Sequence, residues 1–265
     1  MNFDEMTIKE IKKYVNKFED IEKIDNGIME ELANDSRKGV QNICEKIKRQ
    51  KAKREDKVKQ WHEQNEHINI LEEKGYELIA GIDEAGRGPL AGPVVSSAVI
   101  LNKKNPILGL TDSKKLSQSE RERLFDIILD EAVGVGIGIV SNTIIDRLNI
   151  YQATFVAMKR AVEDLSPPPE YLLIDGNQTI PDFNIEQKAI VSGDLKVNSI
   201  SAASIIAKVT RDRIMDDLHK SYPSYNFLSN KGYGTQEHIE AIEEIGPCPH
   251  HRFSYKIVEK NKTSE

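Results

Sequence analysis

Four carboxylates carry the strongest chemical signal in this chain: Asp83 and Glu84, adjacent in Gly81-Ile82-Asp83-Glu84-Ala85-Gly86-Arg87-Gly88, then Asp175 and Asp194. Each falls where an apolar, strand-like run gives way to glycine, the position at which open α/β sheets gather ligands. Several carboxylates drawn together cannot all stay ionised unless a cation offsets their repulsion. Oxygen donors without a Cys or His cluster beside them suit Mg²⁺ or Mn²⁺ rather than zinc. The chemistry such a site offers is phosphodiester hydrolysis, with two ions sharing the attacking and leaving oxygens. One difficulty is geometric, because neighbours in a regular strand point to opposite faces. A strand that stops at Asp83 would let Glu84 enter the turn opened by Gly86 and Gly88. Taken alone, Asp-Glu-Ala-Gly is most simply an exposed turn.

The elements needed to position these groups are visible around them. Tyr76 to Asp83 and Pro93 to Leu101 read as strands returning beside one another, and Val133 to Val140 as a third with glycine at every second position, one face bare for a closely packed helix. Ser117 and Glu120 form a capping box opening a helix that runs through Ala132. A helix is expected from about Thr143 to Leu165, ending at Pro167-Pro168-Pro169. Strands follow at Tyr171 to Ile174, ending at Asp175, and at Gln187 to Val191, ending at Gly193-Asp194. A helix over Ile200 to Leu218 begins with small residues that let it lie close to a sheet. Alternating strands and helices predict an α/β domain over 74–265.

Residues 1–73 have a different texture, with no proline and helical apolar spacing at Ile8, Ile11, Val15, Phe18 and Ile21. This predicts an α-helical N-terminal extension, broken near Asp35-Ser36 and Gly39, then a long helix from about Val40 to His67. Between Lys46 and Lys59 that helix carries eight basic residues against two acidic ones, although the 265-residue chain has a net charge of -6. An exposed connector explains such a helix, and so does an accessory arm that binds nucleic acid. The N-terminus lacks a basic-then-apolar signal run, and no stretch approaches the roughly 18 to 20 apolar residues of a membrane span, so a cytosolic protein with no membrane partner is expected. Cys44 and Cys248 match no metal or redox spacing and are expected to be ordinary thiols.

The string from Gly81 to Val95 closely resembles the first motif of ribonuclease HII, the prokaryotic type 2 ribonuclease H. Thr111-Asp112-Ser113-Lys114-Lys115-Leu116-Ser117, Ile174-Asp175-Gly176-Asn177, Gly193-Asp194, Ser201 to Asp212, Lys231-Gly232-Tyr233-Gly234-Thr235 and Gly246 to Arg252 resemble later motifs in that family's order. The resemblance spans about 76–257. It implies a ribonuclease H-like mixed β-sheet flanked by helices, and Asp83, Glu84, Asp175 and Asp194 as the catalytic and metal-binding set. It also implies Mg²⁺ or Mn²⁺ as cofactor, and as substrate the RNA strand of RNA–DNA hybrids or ribonucleotides embedded in duplex DNA. Gly86-Arg87-Gly88 matches the loop that contacts the ribose 2′-hydroxyl, the group that separates RNA from DNA. Tyr233 matches a tyrosine that stacks on the deoxyribose following the ribonucleotide. Lys114 and Lys231 lie inside motifs and are candidate phosphate contacts; Lys115, Lys208, Arg211 and Arg213 are further candidates from charge alone. Asp212 is expected to pair with an adjacent Arg or to lie on a solvated face, and His219, His238, His250 and His251 to serve structural roles or to support the site from behind its ligands. Rival readings are a type 3 ribonuclease H acting on longer hybrids, a non-catalytic binding protein on the same scaffold, and a resolvase-like DNase. Arg87 together with Tyr233 favours type 2, and the full set of carboxylates favours an enzyme.

Overall fold

The computed structural model describes residues 3–18 and 21–261, which pack as two units, Met1–His62 and Glu63–Glu265. In the first, α1 (Ile8–Val15), α2 (Asn26–Asn34) and the greater part of α3 (Lys38–Glu63) enclose Ile11, Val15, Ile24, Leu32, Val40, Cys44 and Ile47. Thr7 and Glu10 form a reciprocal capping box at α1, and Asp25 caps α2. The break before α3 is fixed by Arg37, which donates to Asp35 and to the carbonyls of Met6 and Phe3. Val40, Cys44 and Ile47 bury the first turns of α3 and Trp61 its last; between them Lys53 and Lys57 face solvent.

α4 (Glu66–Glu72) is a separate helix, where the spacing predicts one continuous helix to His67. It puts Ile68 and Leu71 into a cluster with Ile79, Leu173, Ile190, Val197 and Ile200, so the division by packing falls ahead of the 73/74 boundary drawn from composition.

β1 (Ile79–Ala85) lies at the centre of a five-stranded sheet ordered β3-β2-β1-β4-β5. β2 (Val94–Ile100) is antiparallel to β1 and to β3 (Gly134–Val140), while β4 (Tyr171–Asp175) and β5 (Glu186–Ile190) run parallel to β1. α5 (Gln118–Glu131) begins at Ser117, which accepts from the Glu120 amide; the Glu120 carboxylate turns to Arg123 instead of closing the expected box. The helix expected over 143–165 is two, α6 (Asn142–Leu148) and α7 (Ile150–Glu163). Asn149 separates them at φ 68°, and its side chain accepts from the Gln152 amide to cap α7.

Helices cover both faces of the sheet. α7 lies on β3 so closely that a Cβ at Gly136 or Gly138 would stand 2.1 or 1.9 Å from the carbonyls of Ala161 or Ala157, which is why the alternating glycines are there. Ala80, Ile82, Ala98, Leu172 and Ile174 meet Phe155, Met158 and Ala161 on this face. On the other, α8 (Asn198–Ser221) rests against β1, where a Cβ at Gly81 would meet Ser199 backbone at 2.2 Å. The chain then forms a shell from α9 (Phe227–Asn230), α10 (Gln236–Ile245) and α11 (Lys256–Lys260), with Leu90, Met215, Tyr225, Phe227, Ile242 and Val258 inside it. Among the described residues no helix is long and apolar enough to cross a membrane.

Candidate active site

Parallel register brings the first two carboxylates together. Ile82 pairs with Ile174, so the next residues, Asp83 and Asp175, stand on adjoining strands and point to the same side, towards α8. β1 does not stop at Asp83 but continues to Ala85, so Glu84 leans to the opposite side and reaches the rim of the sheet. There it lines a small cavity of about 70 Å³ with Arg87, Tyr151, Asp175 and Gln178, and also the main cleft of about 510 Å³. The geometric conflict is thus resolved at the rim, not by an early end to the strand. Asp194 lies beyond β5, in the short turn Gly193–Leu195 that leads into α8.

The carboxylates feel one another. Burial, then the charges of Glu84 and Asp175, push the Asp83 carboxyl well above its ordinary range, against donors from Ser204 and the Glu84 amide. Burial also raises Glu84, opposed chiefly by Arg87, whose guanidinium is 3.2 Å from Glu84 Oε1. Asp194 is raised by burial and by Asp175 and Asp112, with Lys114 and Lys115 opposing. Among the described residues no three His, Cys, Asp or Glu side chains converge as a ready-made metal cage. Three of the carboxylates are instead turned to donors of the chain itself: Asp83 Oδ1 accepts from the Glu84 amide and Asp175 Oδ1 from the Gly193 amide, both at 2.7 Å, and Glu84 accepts from Arg87. An all-oxygen donor set whose crowding lifts carboxyl pKa values fits a hard divalent cation, which would offset that crowding.

The main cleft also collects Gly86, Arg87, Gly88, Ser113, Lys114, Ser204, Lys208 and Tyr233. Gly88 and Tyr233, far apart in sequence, meet here: a Cβ at Gly88 would lie 3.7 Å from the tyrosine ring. The loop is held from beneath by two buried arginines. Arg211 donates to the carbonyls of Pro93, Lys231 and Ala91, and Arg252 to those of Gly86, Arg87, Gly92 and Pro93 and to the Tyr255 hydroxyl. Planar peptides point C=O and the following N–H in opposite directions, so the Arg87 and Gly88 amides face away from Arg252. Gly86, at φ 95°, permits the turn, and any Cβ there would strike Arg211 Nε at 2.2 Å.

This corrects the expectation for Arg211. At 1% exposure it cannot reach a phosphate, and burial lowers its pKa to about 10. Arg213 pairs with Glu122 and covers Phe125; Asp212 pairs with Lys208, not an arginine. Lys231 forms an ion pair with Asp216, and it is its carbonyl that supports the loop. Lys114 lines the cleft, and Lys208 does so beside Asp212. Sequence reasoning assigned no role to Ser113 and Ser204, whose hydroxyls lie 3.0 Å apart below Asp83, nor to Arg252. Their positions inside motifs were the available signal.

The family model described as Ribonuclease HII matches residues 80–258, and that described as Ribonuclease HII N-terminal domain matches 7–67. Similar curated proteins include ribonuclease HII of Bacillus subtilis, 46% identical over 96% of this chain and 98% of its own. That of Acetivibrio thermocellus is 55% identical over 82% and 84% respectively. The crystal structure of ribonuclease H2 from Pyrococcus horikoshii superposes with a TM-score of 0.60 at 27% identity, covering 70% of this chain and 97% of that one. These matches do not favour the type 3 alternative, and the five-stranded mixed sheet is that of the ribonuclease H fold. From strand register to full-length relatives the findings agree: the chain belongs to the ribonuclease HII family, metal-dependent hydrolases that act on RNA–DNA hybrids.

Proposed function

We propose that the chain cuts the RNA strand of hybrids and also nicks duplex DNA on the 5′ side of an embedded ribonucleotide. The observation that carries this reading is one cleft holding Asp83 and Glu84 together with Gly86-Arg87-Gly88 and Tyr233. Asp83, Glu84, Asp175 and Asp194 would hold Mg²⁺ or Mn²⁺, two ions in all, which when bound supply Lewis acidity and an activated water. Hydrolysis breaks the P–O3′ bond, leaving a 3′-hydroxyl upstream and a 5′-phosphate on the ribonucleotide. Amides of the Gly86–Gly88 loop serve the 2′-hydroxyl, glycine leaving room for the sugar, and the Tyr233 ring, 42% exposed, offers a flat face to the deoxyribose that follows. Lys114 and Lys208 supply positive charge for phosphates around the cleft; Lys231 acts through its carbonyl.

Purified protein is expected to nick a duplex containing one ribonucleotide, given Mg²⁺ or Mn²⁺, immediately 5′ of it. Cleavage of all-DNA duplex at a comparable rate would sink the proposal and favour a resolvase-like DNase. The basic face of α3 is proposed as an accessory duplex-binding arm. Replacing exposed Lys53 and Lys57 with Gln is expected to reduce the slope of log K against log[salt] by about 1 for each phosphate no longer neutralised. An unchanged slope leaves α3 as a connector. A cytosolic location suits this work and is part of the same proposal.

A further inference from the structure

Behind Tyr233 lies a pair of buried histidines that the reaction itself does not use. His238 on α10 and His251 in the segment before α11 are both 0% exposed, and their Nε2 atoms are 3.0 Å apart. His251 Nδ1 lies 2.9 Å from the Cys248 amide and 3.3 Å from the Cys248 carbonyl; the shorter contact is the amide's, so that nitrogen accepts and the ring proton sits on Nε2. His251 Nε2–H therefore donates to His238 Nε2. The proton of His238 is then on Nδ1, which lies 2.8 Å from the Tyr233 carbonyl and donates to it. A main-chain amide at one end thus dictates both tautomers and delivers one donor to the tyrosine at the other. The opposite assignment would set His238 Nδ1, as a bare acceptor, against a carbonyl oxygen.

The surroundings favour neutral rings. Tyr225 and Phe227 pack against both imidazoles, with centroids 4.8 to 6.2 Å away, and burial lowers both histidines' pKa values. Before the tyrosine, Asn230 Oδ1 accepts from the Gly232 amide at 2.8 Å, and main-chain bonds run from Tyr233 N–H to Asn230, from Thr235 N–H to the Tyr233 carbonyl and from Leu90 N–H to the Gly232 carbonyl. His238 is the side chain bonded to the peptide just after the tyrosine, and it acts with the Arg211 guanidinium, 5.8 Å from the ring centroid, on the direction in which the exposed ring faces Gly88.

We propose that His238 and His251 are positioning residues that set the Tyr233 ring for recognition of the RNA-to-DNA junction, an inference that rests on the reading of Tyr233 given above. The test measures kcat/KM on a DNA duplex with one ribonucleotide and on a continuous RNA–DNA hybrid, and takes their ratio. Impaired folding scales both substrates alike and cancels in that ratio. His238→Leu is expected to lower it about fivefold, the effect of one lost hydrogen bond. His238→Asn, whose amide nitrogen takes the place of ring Nδ1, restores it. Adding His238→Leu to Tyr233→Ala lowers it no further. If Tyr233→Ala lowers the ratio and His238→Leu does not, the positioning role is overturned while the junction reading stands. If Tyr233→Ala leaves the ratio unchanged, the junction reading fails and takes this inference with it. Nitrogen-15 NMR of the wild-type protein is an independent check, expected to show His238 as the Nδ1–H and His251 as the Nε2–H tautomer. The reverse pair of tautomers refutes the relay whatever the variants do.

Discussion

Arg252→Lys separates charge from geometry beneath the Gly86–Gly88 loop. Arg252 is fully buried and makes six hydrogen bonds: Nε to Gly92 O, Nη1 to Arg87 O and Tyr255 Oη, and Nη2 to Gly86, Gly92 and Pro93 O. A lysine keeps the cation but has three donors on one atom, so at least two of the five acceptors lose their partner. Pro93 O retains Arg211, and Arg87 O retains the Tyr255 hydroxyl. Gly86 and Gly92 O are the exposed losses. At roughly 1.5 to 3 kcal/mol for each bond to a charged donor, two losses cost about 3 to 6 kcal/mol. In a protein of this size that lowers Tm by about 10 °C. Thermal melts of wild type and variant measure it, and the same samples, assayed below the melt, are expected to show weakened preference for ribonucleotide-containing DNA over unmodified DNA. A Tm loss under about 2 °C would refute the claim that the fork, rather than the charge, holds the loop.

Asp175→Asn is expected to reduce kcat by at least about 10²-fold in Mg²⁺, because one anionic oxygen is lost from the site; full activity in a single-turnover assay removes Asp175 from the proposal. Folded His251 titrates near 4 against an ordinary value of 6.5, so the unfolded chain binds the extra proton first and stability falls as pH drops from about 6.5 towards 4. The groups facing it are His238, His250, Tyr225 and Cys248, with Glu237 beside His238. His251→Gln is expected to flatten the urea-midpoint profile across that window, and an unchanged acid slope counts against the buried neutral ring. Gly138→Ala drives a methyl into the Ala157 carbonyl and is expected to cost about 2 to 3 kcal/mol by denaturant titration; a neutral result would mean that α7 can lift from β3.

The strands were legible in the sequence because their chemistry is local. Alternation and flanking turns marked β2 and β3 within a residue, and the bare face of β3 pointed to a helix that the structure supplies in α7. The helix break at Asn149 was not legible, since nothing in the apolar spacing records a single residue at positive φ. The carboxylates could be picked out by type and place, but β1 had to be followed to Ala85 before Glu84 found its route to the rim. Arg211 and Arg252 were the hardest. An arginine beside lysines looks like a solvated cation, and only the tertiary packing reveals carbonyls from distant loops arranged around its fork. The histidine pair is of the same kind: its partners come from α10 and from the segment before α11, and neither spells a motif alone.

Two guanidinium cations sealed under a loop with carbonyl partners have a bearing on how affinity will depend on salt. Surface lysines hold a loose ion atmosphere and a phosphate releases it, which is what a salt titration counts. Arg211 and Arg252, at 1% and 0% exposure, have no such atmosphere to give up, and the dissolved ions that screen exposed charge do not reach them. Their field on the cleft is a permanent bias. A count of cations drawn from the salt slope will therefore fall short of the positive charge in the cleft, and the shortfall is greatest beside the loop that the two arginines hold.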